Sequence, residues 1–393
     1  MAREVNDLFL FSFQGRRPTR GAFTRLLDMN PVAYFFAFLW VFACLPGQAQ
    51  APTNEQAPIK VVVYPGTELL QVIHLLSDTA QLAQSTYNAE VQRYFHAYRR
   101  HPAVLKARAL RYISCDFPVR LSWAFYNFPA LKLATMQQAH MDGYETAFDL
   151  GQMQAYFQEC VRFYQDTHFW AFYQAHAPEY ARWVASFERG LYQDGMLATM
   201  DTFYRLKRDK PIVFTLGALN CGSYVMSDLR GINPNLPNQT TIMVAYSQVV
   251  SHTNPLAKAP TFYAPARTSQ ITWHELGHTY LGSVFRRYQR EVQALDYIMQ
   301  QDSAMQKKAA MRGGWANYLN ENTTQAVTSL LRIRTGKVSR AVELEPSPDE
   351  FYLLYAELLG IIEREYYGNP AYRDFEQFFP VLLAELQKKH PQQ

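Results

Sequence analysis

His274, Glu275 and His278 are the residues of this chain whose types and spacing could do chemistry. On a helix, His274 and His278 leave the same face one turn apart. Two neutral imidazole nitrogens at that spacing can reach one zinc ion at about 2.0–2.1 Å. Glu275 is rotated from His274 by roughly 100°, at about 3.6 residues per turn. It can therefore lean over a water on the metal without binding the metal itself. Zinc-bound water loses its proton near neutral pH, and a carboxylate beside it can accept that proton and pass it to a leaving amine. His-Glu-x-x-His on a helix is thus a pattern able to hydrolyse an amide.

The flanking sequence predicts a helix over about 268–282. Thr268-Ser269 offers an N-cap after Pro265, and Gly282 offers a stop. Ile271, Trp273, Leu276, Tyr280 and Leu281 supply an apolar body. Catalytic zinc takes three protein ligands and one open position. After His278 the only histidine is His390, so the third ligand is expected to be a carboxylate on a later helix. Glu291 and Asp296 fall in a charged segment that reads as solvated. Glu321 is the better choice, as the single acidic residue between Trp315 and Val327. That stretch continues with Leu330, Leu331 and Ile333 as a helix over about 313–335. Hydrolysis also needs an oxyanion donor, and Tyr318 lies three residues before Glu321 on the same helix face. Tyr280 should point to the opposite side.

His274-Glu275-Leu276-Gly277-His278 followed by Asn320-Glu321 on a second helix resembles the gluzincin class of zinc metallopeptidases. Three further segments resemble a bacterial family of unknown function, expected to be secreted gluzincin-like peptidases. They are Glu68-Leu69-Leu70-Gln71-Val72-Ile73, Tyr94-Phe95-His96-Ala97-Tyr98 with His101-Pro102-Ala103-Val104, and Trp315 to Val327. The resemblance spans most of residues 60–335. It implies a zincin-like fold, Zn2+ on His274, His278 and Glu321, Glu275 as general base, and a peptide or protein substrate. Gluzincins often carry an Asp four residues after the third ligand, where it orients a histidine. Here that position is Gln325, which is neutral, so either Gln325 does this more weakly or another group does it. In that class the strand before the zinc helix commonly lines the cleft, which suggests Ile242 to Tyr246 for this role. An edge strand there can bind an extended peptide.

The leader is expected to be residues 1–51. Four arginines, Arg16, Arg17, Arg20 and Arg25, precede an apolar run from Val32 to Leu45, and Ala49-Gln50-Ala51 offers a cleavage site. The apolar run is shorter than the about 20 residues of a membrane span. Secretion or delivery to a periplasm follows from this reading, with lipid attachment at Cys44 as the lesser alternative and Met29 as a second possible start. Residues 1–51 carry five Arg and three acidic residues, so their removal lowers the net charge from +4 to +2. That is too small a charge to steer nucleic acid or an anionic membrane. Cys115, Cys160 and Cys221 remain, an odd number that does not make a disulfide framework.

The patterning predicts an α+β, mainly helical chain with a small sheet beside the His-Glu helix and a helical C-terminal part. Residues 52–209 read as a mainly helical N-terminal region, and 210–393 as the catalytic region of the same compact unit. Lys60–Tyr64, Ile212–Leu216 and Ile242–Tyr246 read as strands, and 117–206 as amphipathic helices whose aromatics form core. The rival to a peptidase is a catalytically inactive zinc- or peptide-binding protein on the same scaffold. The intact Glu275 argues against it. Another hydrolase reading is a cut in a peptidoglycan peptide.

Overall fold

β-Branched runs build the sheet. In the computed structural model, Ile59–Val62 (β1), Ile212–Gly217 (β2), Tyr224–Met226 (β3) and Thr240–Ala245 (β4) pair in the order β1-β2-β4-β3. The structure describes residues 58–77, 85–110, 119–137, 149–208, 210–220, 222–226, 229–245, 262, 268–345 and 351–392. The expected leader with Cys44, and also Cys115 and Cys221, lie outside the described residues, while Cys160 is a buried free thiol. The first three strands in the sheet are parallel, with Ile59 opposite Ile212 and Ile212 opposite Thr240. β3 runs antiparallel to β4, with Tyr224 opposite Met243. β1 precedes residue 209 and β2 follows it, so one sheet draws on both regions of the chain.

Two strand expectations change. The strand nearest the His-Glu helix in sequence, β4, lies inside the sheet, and the edge belongs to β3. Its three residues are too few for an alternating pattern to stand out in sequence. Within 117–206, residues 119–124 form a 3-10 turn, and Phe125–Tyr126 pairs with Lys132–Leu133 as a hairpin in place of a helix. Pro129 explains the break from helix, because the residue before a proline is driven from helical backbone. Most of the described aromatics there do form core, with Tyr192 exposed: Phe172 meets Phe95 at 4.9 Å and Trp183 meets Tyr87 at 5.1 Å.

Pro65–Leu76 (α1) starts on a proline and buries every residue after it. A helix apolar on most sides becomes a central helix. Burial of each Leu or Ile there contributes roughly 1.5–3 kcal/mol. It also buries Glu68, which accepts a hydrogen bond from Tyr87 at 2.5 Å, while Tyr87 shares a 2.6 Å contact with the Tyr180 hydroxyl. Burial pushes the Glu68 carboxyl from 4.5 up to about 7, against the lowering effect of the Tyr87 hydrogen bond.

The native chain therefore holds a proton on Glu68 between pH 4.5 and about 7, where the unfolded chain has lost it. The resulting penalty is absent below 4.5, grows as pH rises and is complete above about 7, at on the order of 3 kcal/mol. Glu68→Gln is expected to match wild type near pH 4.5 and to exceed its stability at about pH 8. Denaturant melts of both proteins at the two pH values check this. A gap of the same size at both would rule out Glu68 ionisation as its source.

Thr268–Arg287 (α2) carries the His-Glu motif, and Trp315–Arg334 (α3) packs against it. α2 runs past Gly282 because Val284 and Phe285 beyond it are buried. Gly277 has a packing role. A Cβ there would stand 2.9 Å from Thr324 Cγ2 and 3.4 Å from the Tyr204 hydroxyl, so glycine lets the two helices approach closely. Gly313 and Gly314 enter α3 with φ of 76° and 109°, a backbone region that favours glycine. Tyr355–Glu365 (α4) covers the far side of α3. The described chain is mainly helical with a small sheet, and no helix within it is long and apolar enough to cross a membrane.

Candidate metal centre

α2 presents His274 and His278 to α3, which presents Glu321. The two Nε2 atoms are 3.2 Å apart. Glu321 Oε2 is 3.2 Å from His274 Nε2, and Oε1 is 3.7 Å from His278 Nε2. Bonds of about 2.0–2.1 Å to one tetrahedral ion would set ligand atoms about 3.3 Å apart. The three residues form a group able to hold a metal ion. Glu291 is exposed, and neither it nor Asp296 belongs to that group.

Hydrogen bonds around the group decide which imidazole nitrogens face inward. Glu343 is held by Arg332 through two contacts of 2.6 and 2.8 Å, with both side chains buried. As a carboxylate it only accepts, so the Ser329 hydroxyl donates to it at 2.7 Å. Ser329 Oγ then accepts from Gln325 Nε2 at 3.1 Å. That leaves Gln325 Oε1 to accept from His274 Nδ1 at 3.2 Å. His278 Nδ1 faces Asn320 Oδ1, also at 3.2 Å. With both Nδ1 atoms donating outward, two Nε2 lone pairs and a carboxylate converge on one point. Only a cation relieves that convergence, so the donor set fits a metal ion.

The charges agree. Burial lowers the His278 pKa to about 4, with His274 adding to the effect, so His278 offers a neutral lone pair. Burial also lowers His274, but the Glu321 hydrogen bond and the charges of Glu275 and Glu321 outweigh it and raise the net value. Those carboxylates favour positive charge there, whether carried by a proton or by a metal. Burial raises Glu321, yet the His274 hydrogen bond and the two imidazoles bring it down to about 2. It is ionised at neutral pH, as a metal ligand would need to be.

Glu275 stands beside this group without joining it. Burial pushes its carboxyl up to about 7, against the lowering effects of His274 and of a hydrogen bond from the backbone of Val225 on β3. The site opens into a cleft of about 940 Å³ whose lining includes Tyr224, Val225, Glu275, Gln325 and Tyr352. Tyr318 is not brought to it. Its side chain is fully buried and does not line the cleft, donating to the Phe351 carbonyl at 3.1 Å and accepting from the Leu353 N–H at 3.2 Å. Helix-face spacing placed it near Glu321, but the segment at 351–354 captures its hydroxyl. Tyr280 points away as expected, to Asp201 at 2.6 Å.

Two cleft residues carried no signal in the sequence. Tyr352 sits with its ring 5.8 Å from that of His274. Arg312 brings Nη1 to 4.0 Å from Glu321 Oε1, with its guanidinium 4.8 Å from the Phe351 ring centroid. Both arrive from connecting segments, where no periodicity marks them.

The relay through Ser329 has a measurable consequence. Ser329→Ala leaves His274, His278 and Glu321 in place but frees the Gln325 amide to turn. Divalent-metal affinity is expected to fall roughly 10–100-fold, the usual effect of losing a group that orients a ligand. Competition against a chromogenic chelator measures it. Unchanged affinity would mean that the relay does not set the His274 tautomer.

Comparison of the chain with family models, with curated proteins and with solved structures finds no match in any of the three.

Proposed function

We propose that this chain is a zinc-dependent peptidase of the gluzincin type, with a zincin-like arrangement around α2, β3 and α3. The observation that carries the reading is the convergence of two Nε2 atoms and the Glu321 carboxylate beside Glu275, in an open cleft. Two imidazoles and one carboxylate are a donor set that would suit zinc with one open position. Zinc held there supplies Lewis acidity, lowering the pKa of water and polarising a carbonyl.

Glu275 takes the proton of the attacking water and returns it to the leaving amine. Its raised pKa places that exchange near neutral pH, and the Val225 hydrogen bond fixes its carboxylate against the edge strand. β3, not β4, offers the strand along which an extended peptide lies. Tyr352 replaces Tyr318 as the group that stabilises the oxyanion, because its side chain reaches the cleft beside His274.

The test is a quenched peptide library offered to zinc-loaded protein and to protein stripped by a chelator. Cleavage is expected with zinc, loss of it on stripping, and its return on adding zinc back. Tight zinc binding without cleavage of any peptide would favour the inactive binding protein.

A further inference from the structure

We propose that the cleft selects peptides carrying an anionic carboxylate, either an acidic side chain or a free C-terminus; this rests on the peptidase reading above. Among the described residues three cations line the cleft: Lys210, Arg286 and Arg312. Among the described residues the only carboxylates lining it are Glu275 and Glu321, one beside the metal group and one in it. A divalent ion on the three ligands would balance those two charges. Among the described lining residues three positive charges then remain in excess in a concave site, where low-dielectric walls concentrate their field.

The cations come from three separate places. Lys210 precedes β2, Arg286 lies in the last turn of α2, and Arg312 lies between helix Ser303–Ala310 and α3. Arg286 is two turns past His278 on the same helix face. Its Nη1 lies 3.7 Å from where a Cβ on Gly282 would stand, so its guanidinium reaches back along α2 toward the metal centre. Two neighbouring cations that do not line the cleft are paired, Arg208 with Asp201 and Arg287 with Glu376. Lys210 and Arg286 have no ion-pair partner among the described residues. Arg312 is held at the rim by Phe351, and Glu321 approaches it only to 4.0 Å. A carboxylate brought by the substrate would restore the charge balance, and a guanidinium can hold it through two parallel hydrogen bonds.

Zinc-loaded Glu275→Gln protein, which should bind without turning over, tests this against three peptides of equal length. One has acidic side chains and an amidated C-terminus, one is neutral with a free C-terminus, and one is neutral and amidated. Titration calorimetry is expected to give at least one anionic peptide about tenfold tighter binding than the neutral amidated one, the gap closing as salt screens it. Which anionic peptide gains tells side-chain from terminal recognition. Adding Lys210→Gln or Arg286→Gln should shrink the ratio, with zinc content and melting temperature confirming an intact fold. Arg312 is left alone because it touches a proposed ligand. Equal affinity for all three peptides, or a ratio untouched by both substitutions, overturns charge selection. If wild type still cleaves peptides in that case, the peptidase reading stands. If wild type neither binds nor cleaves any of them, both fall.

Discussion

Glu275→Gln is expected to keep full zinc and to lose peptide hydrolysis by at least about 10²–10⁴-fold, the usual share of a general base. Glutamine has nearly the same size and can still accept the hydrogen bond from Val225, so no cavity opens against β3. It cannot take a proton from water. Glu275 is not one of the three residues grouped for metal binding, so its neutral replacement leaves His274, His278 and Glu321 in place. The substitution also removes a carboxylate that burial disfavours, so the metal-free variant should be no less stable than wild type near neutral pH. Turnover of a quenched peptide library by both proteins, at matched zinc content, reads the effect. A variant that cleaves as fast as wild type would refute the general-base role and the mechanism with it.

Glu321→Ala is the second large effect. Groups that merely orient a ligand are worth roughly 10–100-fold in metal affinity, so losing a charged ligand should cost more than about 100-fold. The two Nε2 atoms, 3.2 Å apart, would lose the one anion among the described residues that meets both. The fold should survive, because α3 is anchored through Trp315, Leu319, Ala326, Val327 and Leu330 instead. Glu291→Ala is the control, since Glu291 is exposed and outside the group. Elemental analysis of the purified proteins distinguishes the cases. Full zinc in Glu321→Ala with loss in Glu291→Ala would move the third ligand.

The legible part of the site was the part that depends on local periodicity. His274 and His278 share a face because four residues make about one helical turn, whatever surrounds them. Glu321 stood out as the one carboxylate in an otherwise uncharged helical stretch, and the structure sets it 3.2 Å from His274. Gln325 was visible as a neutral residue where the resembling class carries an acid. Its partner was not. The charge comes from Glu343, which reaches Gln325 through Ser329 only when the short helix Arg340–Glu343 folds back beside α3.

Tertiary structure decided the rest, because it depends on pairings between distant segments. Sequence order put Ile242–Tyr246 beside the cleft, but strand pairing enclosed β4 and left the three-residue β3 at the edge. Helix phase put Tyr318 near Glu321, but the backbone at Phe351 and Leu353 took its hydroxyl, and Tyr352 in the same segment reached the cleft. Lys210, Arg286 and Arg312 lie up to about a hundred residues apart, and only the packing of α2 against the sheet and α3 gathers them. Residue spacing along one helix thus determined which atoms can share a metal. Long-range packing decided what orients those atoms, what lines the cleft and what charge it presents.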